Sequence, residues 1–340
     1  MGGSGFTGLV EGAYVETVEG LIFSVKGLSH PEGLVVAYLR YVPDPGGERV
    51  RGPRRYRRVY DLEETDEFLC VHHSVYLNPI KGKGLTLQSV PVDRISRVYS
   101  PAERLRELGE GPSTELEAST ASFASVLSSE SGVPLSSLGV SGSALIGLAG
   151  PSSDIDIVVY GLDAGLKVYG ALSRLREEGG WIRPYDSGGV MGVVSSRWGD
   201  TGFDLAMFVQ SETRKVLHGL VGDRDYFVRL VPNPLEMEAE VVSRPLGRAV
   251  IRVTVVDSER SIYTPCTYLV GDCSVQGEDQ KPEVTQLMSY RGKFTEQARE
   301  GEVVEARGTI EEVEYRDRTT HRLMMGGRGD YLIPAGMLDR

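Results

Sequence analysis

Three hundred and forty residues suffice for two or three domains of ordinary size and a substantial core. With 40% hydrophobic and 25% charged residues and no apolar run near the ~18 residues of a membrane helix, the composition excludes small disulfide scaffolds and helical membrane proteins. The 37 basic residues against 48 acidic ones, net -11, exclude a surface built wholly to grip nucleic acid and leave room only for a local basic groove.

The opening Met-Gly-Gly-Ser-Gly has neither a basic nor a hydrophobic region, so it reads as no secretory signal, and the expected address is the cytoplasm. Cys70, Cys266 and Cys273 lack metal-ligand spacing. Asn occurs twice and Gln six times, a scarcity of heat-labile amides that points to a heat-adapted source.

From Gly12 to Val42, YVETVEGLIFSVKGL and GLVVAYLRYV read as strands, broken at His30-Pro31-Glu32-Gly33. A turn cluster at Pro43 to Gly47 leads into Arg49–Arg58, with six arginines in ten residues. This tract is open to two readings, a solvated strand and loop, or a contact with an RNA backbone beside which Tyr56 and Tyr60 stack on bases. Strand-like runs continue to Val98, and AERLREL after Ser100-Pro101 is a short helix. His72-His73 is expected in a strand, where neighbours face opposite ways and do not form a metal site.

Gly109 to Pro112 marks a domain boundary. Thr114 and Glu117 form a capping box that opens a helix ending near Gly132 and Pro134. Asp163 to Glu178 reads as another helix, while IDIVVY, MGVVSS and FDLAMFV have the length of buried strands. From Met237 the pattern is mainly β. The expected organisation is therefore an N-terminal mainly-β domain (1–110), a core of α/β (α+β) type with a mixed sheet (111–235), and a C-terminal mainly-β domain resembling a small barrel (236–340).

Chemistry concentrates in Leu138 to Gly161, LGVSGSALIGLAGPSSDIDIVVYG. Asp154 and Asp156 flank Ile155 at the mouth of an apolar strand, and the period of two sends both carboxylates to one face. Aspartate is depleted in strands, and adjacent like charges raise each other's pKa unless a cation lies between them. Hard oxygen ligands favour Mg²⁺ or Mn²⁺. Gly142-Ser143, twelve and eleven residues before Asp154, allows close backbone approach to a phosphate. Asp204 in FDLAMFV is expected to open a neighbouring strand, so that three carboxylates hold two ions ~3.5–4 Å apart.

Gly142-Ser143, ten intervening residues, Asp154-Ile155-Asp156 and a later Asp204 resemble the signature of the polymerase-β-like nucleotidyltransferase superfamily. ETVEGLIFSVKG and LRYVPD extend the resemblance to predicted archaeal nucleotidyltransferases over most of the chain. The resemblance implies a nucleotidyltransferase core, with Asp154 and Asp156 coordinating both metals and Asp204 binding the ion that activates the acceptor hydroxyl. It also implies that Gly142 and Ser143 hold the phosphates of an NTP, whose NMP passes to a hydroxyl as pyrophosphate leaves. Many relatives place an arginine after Gly-Ser, whereas Ala144-Leu145-Ile146-Gly147 is apolar here. Arg214, Lys215 or Lys167 is then expected to meet the phosphate charge, with Lys215 taken as nucleotide-binding. An RNA end is the favoured acceptor, and a nucleotide- or RNA-binding module without turnover is the rival reading. Gly326 to Asp330 reads as a turn between strands rather than a phosphate loop.

Overall fold

The computed structural model describes residues 9–80, 85–275 and 282–338. Within these the chain divides into two compact units, one formed by 9–80, 85–171 and 223–236, the other by 172–222 and 237–338.

In the first unit, β1 (Tyr14–Thr17), β2 (Ile22–Val25) and β3 (Leu34–Pro43) are followed by the arginine hairpin β4 (Arg49–Arg51) and β5 (Arg54–Arg58). Gly52, with φ +57°, makes the hairpin turn that a side chain would strain. Helix α1 (Leu62–His72), β6 (Leu77–Ile80), β7 (Leu85–Pro91) and β8 (Ile95–Tyr99) complete the antiparallel sheet, in the order β4-β5-β3-β2-β1-β8 with β7 also on β3 and β6 on β7. Alternation along the strands sorts side chains to two faces. Val15, Phe23 and Leu39 pack with Leu69 and Tyr76 on one face, and Tyr14, Ile22, Tyr41, Tyr56 and Tyr99 pack with Leu145, Ile146 and Leu148 on the other.

Next come α2 (Pro101–Glu110), α3 (Glu115–Ser131), β9 (Leu138–Val140), the single turn α4 (Gly142–Leu145), β10 (Ile155–Tyr160) and α5 (Leu162–Glu178). The capping box forms with its second bond shifted one residue towards the N-terminus. Thr114 Oγ1 accepts from the Glu117 amide at 3.2 Å, the Glu117 carboxylate accepts from the Ser113 amide at 2.8 Å, and Gly132 ends α3 at φ +70°. Strand β10 runs antiparallel to β9 and parallel to Arg224–Val231, with Asp156 opposite Phe227.

The second unit contains β11 (Ile182–Arg183), α6 (Ser187–Trp198), α7 (Ala206–Thr213) and β12 (His218–Val221). With Arg224–Val231 as β13, the remaining strands are β14 (Val242–Asp257), β15 (Cys266–Val275), β16 (Gln286–Ser289), β17 (Val303–Glu314), β18 (Thr319–Met325) and β19 (Tyr331–Pro334). Their order β14-β15-β16-β18-β17 closes because β14 also pairs with β17. The β16–β18 pair is parallel and the other pairs of the ring are antiparallel, the order of an OB-type Greek-key barrel. Ile251, Val253, Tyr268, Leu287, Val304 and Leu323 fill it.

The expected α/β (α+β) nucleotidyltransferase core with a mixed sheet between mainly-β flanks requires correction. The protein is mostly β, 37% strand against 32% helix, in three sheets of eight, five and six strands. Two supposed core strands are helices: MGVVSS lies in α6, capped by Asp186 on the Gly189 amide at 2.8 Å, and most of FDLAMFV lies in α7. Periodicity does not separate a short buried strand from a buried helical turn. His72-His73 likewise ends α1, which Asp61 caps through the Glu64 amide at 3.0 Å. Among the described residues no helix is long and apolar enough to cross a membrane.

Candidate functional site

Strand β10 opens beside Asp154 and carries Asp156, with Ile155, Ile157 and Val159 buried around it. The Ser141 amide donates to the Asp156 carbonyl oxygen at 2.9 Å, which fixes the start of α4 against this strand. Gly142 follows at φ +60°, and a β-carbon there would lie 1.9 Å from Asp156 Oδ2. Only glycine fits. Ser143 is buried in the same turn, and Ser141 Oγ donates to the Gly12 carbonyl oxygen at 2.8 Å, tying this turn to the start of the large sheet.

Beside Asp156 is a polar pit of about 50 Å³, lined by Glu11, Gly12, Tyr14, Ser24, Lys26, Ser141, Gly142, Ile157, Phe227 and Arg229 as well. At roughly 10–15 Å³ for each water centre it admits about four waters or one small oxyanion, not a nucleoside. Glu11 lies 2.5 Å from Lys26 Nζ and 3.2 Å from Arg229 Nη1, and accepts from the Gly27 amide at 3.0 Å. Burial alone would raise its pKa, but Lys26 and Arg229 together hold it below the usual carboxylate range. Burial brings Lys26 down to about 8 despite Glu11. Asp156 goes the other way, to about 7, through burial first and the neighbouring Asp154 second, against Arg229, Arg58 and Lys26.

Burial and the adjacent Asp154 thus both disfavour the charged form of Asp156, and a bound cation would favour it. Mg²⁺ is commonly held by one or two carboxylates plus substrate phosphate oxygens, so the Asp154/Asp156 pair fits one such ion. Among the described residues no group of three or more His, Cys, Asp or Glu side chains is gathered for a metal. Asp204 does not open a strand: it is exposed, just before α7, and its Oδ1 accepts from the Ala206 amide at 2.9 Å.

The cations expected to replace the arginine after Gly-Ser are committed elsewhere. Lys215 is fully buried and donates to Glu212 Oε1 at 2.8 Å and to the Lys293 carbonyl oxygen at 2.6 Å. Arg214 forks onto Glu302 at 2.7 and 2.9 Å, and Lys167 pairs with Asp163 at 2.7 Å. Positive charge near Asp156 comes instead from Lys26, Arg58 and Arg229. Lys26 and Arg229 were legible only as charged residues inside the apolar runs FSVKGL and YFVRLV. Their shared partner Glu11 is distant in sequence from Arg229.

The arginine tract divides its labour. Arg49 Nη1 donates to Ser153 Oγ at 3.1 Å, and Arg51 donates to the Ile146 carbonyl oxygen at 3.2 Å and to both Glu16 oxygens at 2.8 and 2.9 Å. Both clamp the segment between Gly-Ser and Asp154. Tyr56 is buried and cannot stack on a base, whereas the half-exposed Tyr60 ring lies 4.1 Å from the Arg58 guanidinium carbon. At Gly326 to Asp330 the amides of Gly326 and Gly327 are taken by Asp330 Oδ2 at 2.8 and 2.7 Å, as befits a turn.

Fold and site together define a mostly β protein with an acidic pair at the edge of a cation-lined pit. No family model matches the chain, and no solved structure matches it. It is 31% identical over 314 residues to uncharacterized protein MJ1086 of Methanocaldococcus jannaschii, an alignment covering 88% of this chain and 90% of that one. The chain belongs to the same family as MJ1086.

Proposed function

We propose that the protein is a metal-dependent nucleotidyltransferase acting at Asp154, Asp156, Gly142 and Ser143, with an NTP as donor and a hydroxyl, an RNA end being favoured, as acceptor. The observation that carries this reading is the contact of Gly142 with Asp156, so close that any side chain in the turn would displace the carboxylate. Spacing in the sequence and proximity in space thus agree on the same pair.

Asp154 and Asp156 would hold Mg²⁺ or Mn²⁺, which when bound would neutralise charge on the transferred phosphate. The residues around them do the remaining work. Gly142 brings backbone next to the carboxylate, Arg49 and Arg51 immobilise the segment leading to Asp154, and Lys26 and Arg229 offset negative charge at the pit. Transfer in the reverse sense would need the same groups.

One observation favours a second reading, a nucleotide-binding module without turnover. Asp204, assigned to activation of the acceptor, lies exposed before α7 with its Oδ1 accepting from the Ala206 amide. Incubation with each labelled NTP, Mg²⁺ or Mn²⁺ and mixed RNA separates the two. Transferred label and pyrophosphate from the wild type but not from D154N/D156N establish transfer. Saturable metal-dependent NTP binding without product favours the module, and the absence of both removes this site from consideration.

A further inference from the structure

The apolar segment after Gly142-Ser143 leaves phosphate charge to be met by other residues, and the three cations expected to meet it are engaged elsewhere. The pit beside Asp156 has what they lack. Lys26 and Arg229 both line it, Lys26 from the turn after β2 and Arg229 from β13, with Glu11 between them and Asp156 on the wall, so the pit gains net positive charge once a cation engages Asp156. Arg229 Nη1 lies within ion-pair distance of Glu11 yet is misaligned, so this buried donor has no hydrogen-bond acceptor. A buried guanidinium N–H without an acceptor is costly, and a ligand oxygen would satisfy it. Ser24 and Tyr14 add hydroxyl groups to the lining.

We propose that this pit is a phosphoryl subsite: it takes one phosphoryl group of the nucleotide, held by Lys26 and Arg229 while Asp154 and Asp156 share a divalent ion with the same polyphosphate. The size agrees, since about 50 Å³ holds one tetrahedral oxyanion and excludes base and ribose. Recognition therefore rests on phosphate and is indifferent to the base. Asp156 on the pit wall repels an anion when no metal is present, so metal and phosphate bind with positive coupling. This subsite deepens the nucleotidyltransferase reading and rests on it for the nucleotide, but it can be tested without turnover.

The probes are inorganic tripolyphosphate, ATP, AMP and an RNA oligonucleotide lacking a 5′ triphosphate, titrated calorimetrically into the full chain with EDTA or with Mg²⁺. Tripolyphosphate and ATP are expected to bind with similar affinity, each at least tenfold tighter with Mg²⁺ than with EDTA, and AMP much more weakly. R229Q and K26M should each weaken tripolyphosphate binding at least tenfold, whereas D156N should tighten it in EDTA. R229K, which keeps the charge and the approach to Glu11, should lose less than R229Q and serves if R229Q fails to fold. Unchanged affinity in folded K26M and R229K, no binding of tripolyphosphate by the wild type under either condition, or RNA competing as well as tripolyphosphate would overturn the subsite. Loss of transfer in D156N with tighter metal-free tripolyphosphate binding would uphold both readings. Tripolyphosphate binding by a protein that transfers nothing would uphold the subsite and remove the transferase.

Discussion

Gly142 stands against Asp156 so closely that a β-carbon on it would lie 1.9 Å from Oδ2, at a backbone φ of +60°. Two independent costs therefore weigh against any other residue. The left-handed backbone costs about 1–2 kcal/mol for an L residue, and the contact forces either the α4 turn or the Asp156 carboxylate to move. G142A is expected to lose about 2 kcal/mol in urea denaturation, and its metal-dependent NTP binding should fall by more than tenfold. Retention of wild-type binding would mean that the turn is not part of the site.

Lys215 lies in a buried cluster where the Glu212 carboxylate also accepts from Trp198 Nε1 at 2.8 Å and Arg197 Nη1 at 2.9 Å. Removing one member leaves a buried charge uncompensated, at a cost of about 3–5 kcal/mol. K215M should show a destabilisation of that order, and K215M/E212Q should recover part of it. NTP affinity measured on the folded fraction should be unchanged. A selective loss of NTP binding would return Lys215 to the nucleotide.

His218 in the same cluster lies 3.1 Å from Glu212, and burial first, then Arg197, holds its pKa down to about 4. An unfolded histidine titrates near 6.5, so between the two values the unfolded chain binds the extra proton. Its contribution to stability is complete above pH 6.5 and is lost as pH falls towards 4, about 2 kcal/mol by pH 5. Asp156 has the opposite sign in metal-free protein: its raised pKa favours the fold as pH falls from about 7. The check is thus a difference between wild type and H218Q in EDTA, which should shift in the variant's favour by about 2 kcal/mol from pH 7 to pH 5. Glu212, held well below its usual range, acts at lower pH and leaves this window clear. A pH-independent difference would contradict a neutral buried His218.

Arg51 joins Glu16, the Tyr56 and Tyr99 hydroxyls and the Ile146 carbonyl oxygen, contacts that the planar fork of arginine satisfies together and lysine does not. R51K should lose about 2 kcal/mol of stability, typical of a charge-assisted network. Arg54 and Arg55 are exposed on the same hairpin, Arg55 Nη1 donating to the Gly47 carbonyl oxygen at 2.7 Å. If RNA binds along this strand, R54A/R55A should cost no more than the single Arg55–Gly47 hydrogen bond, about 1 kcal/mol, and reduce the log-log salt slope of RNA binding by about 0.7 for each phosphate no longer engaged. An unaltered slope would assign the tract wholly to the fold.

What the sequence determined by itself is what neighbouring residues decide among themselves. Thr114 with Glu117 and Gly132 bounds α3, and the apolar run IDIVVY sets β10, whose period of two turns Asp156 away from Ile155 and Ile157. Tertiary structure decided the rest. MGVVSS and FDLAMFV are too short for periodicity to choose, and the burial of Val194, Trp198 and Phe208 in one core makes them helices. Lys215 looks like a free cation until Glu212 and Lys293 close over it. Glu11 and Lys26 lie far from Arg229 along the chain and flank strands of a different sheet from β13, so only packing in space brings them together, because electrostatic partnership depends on distance in space.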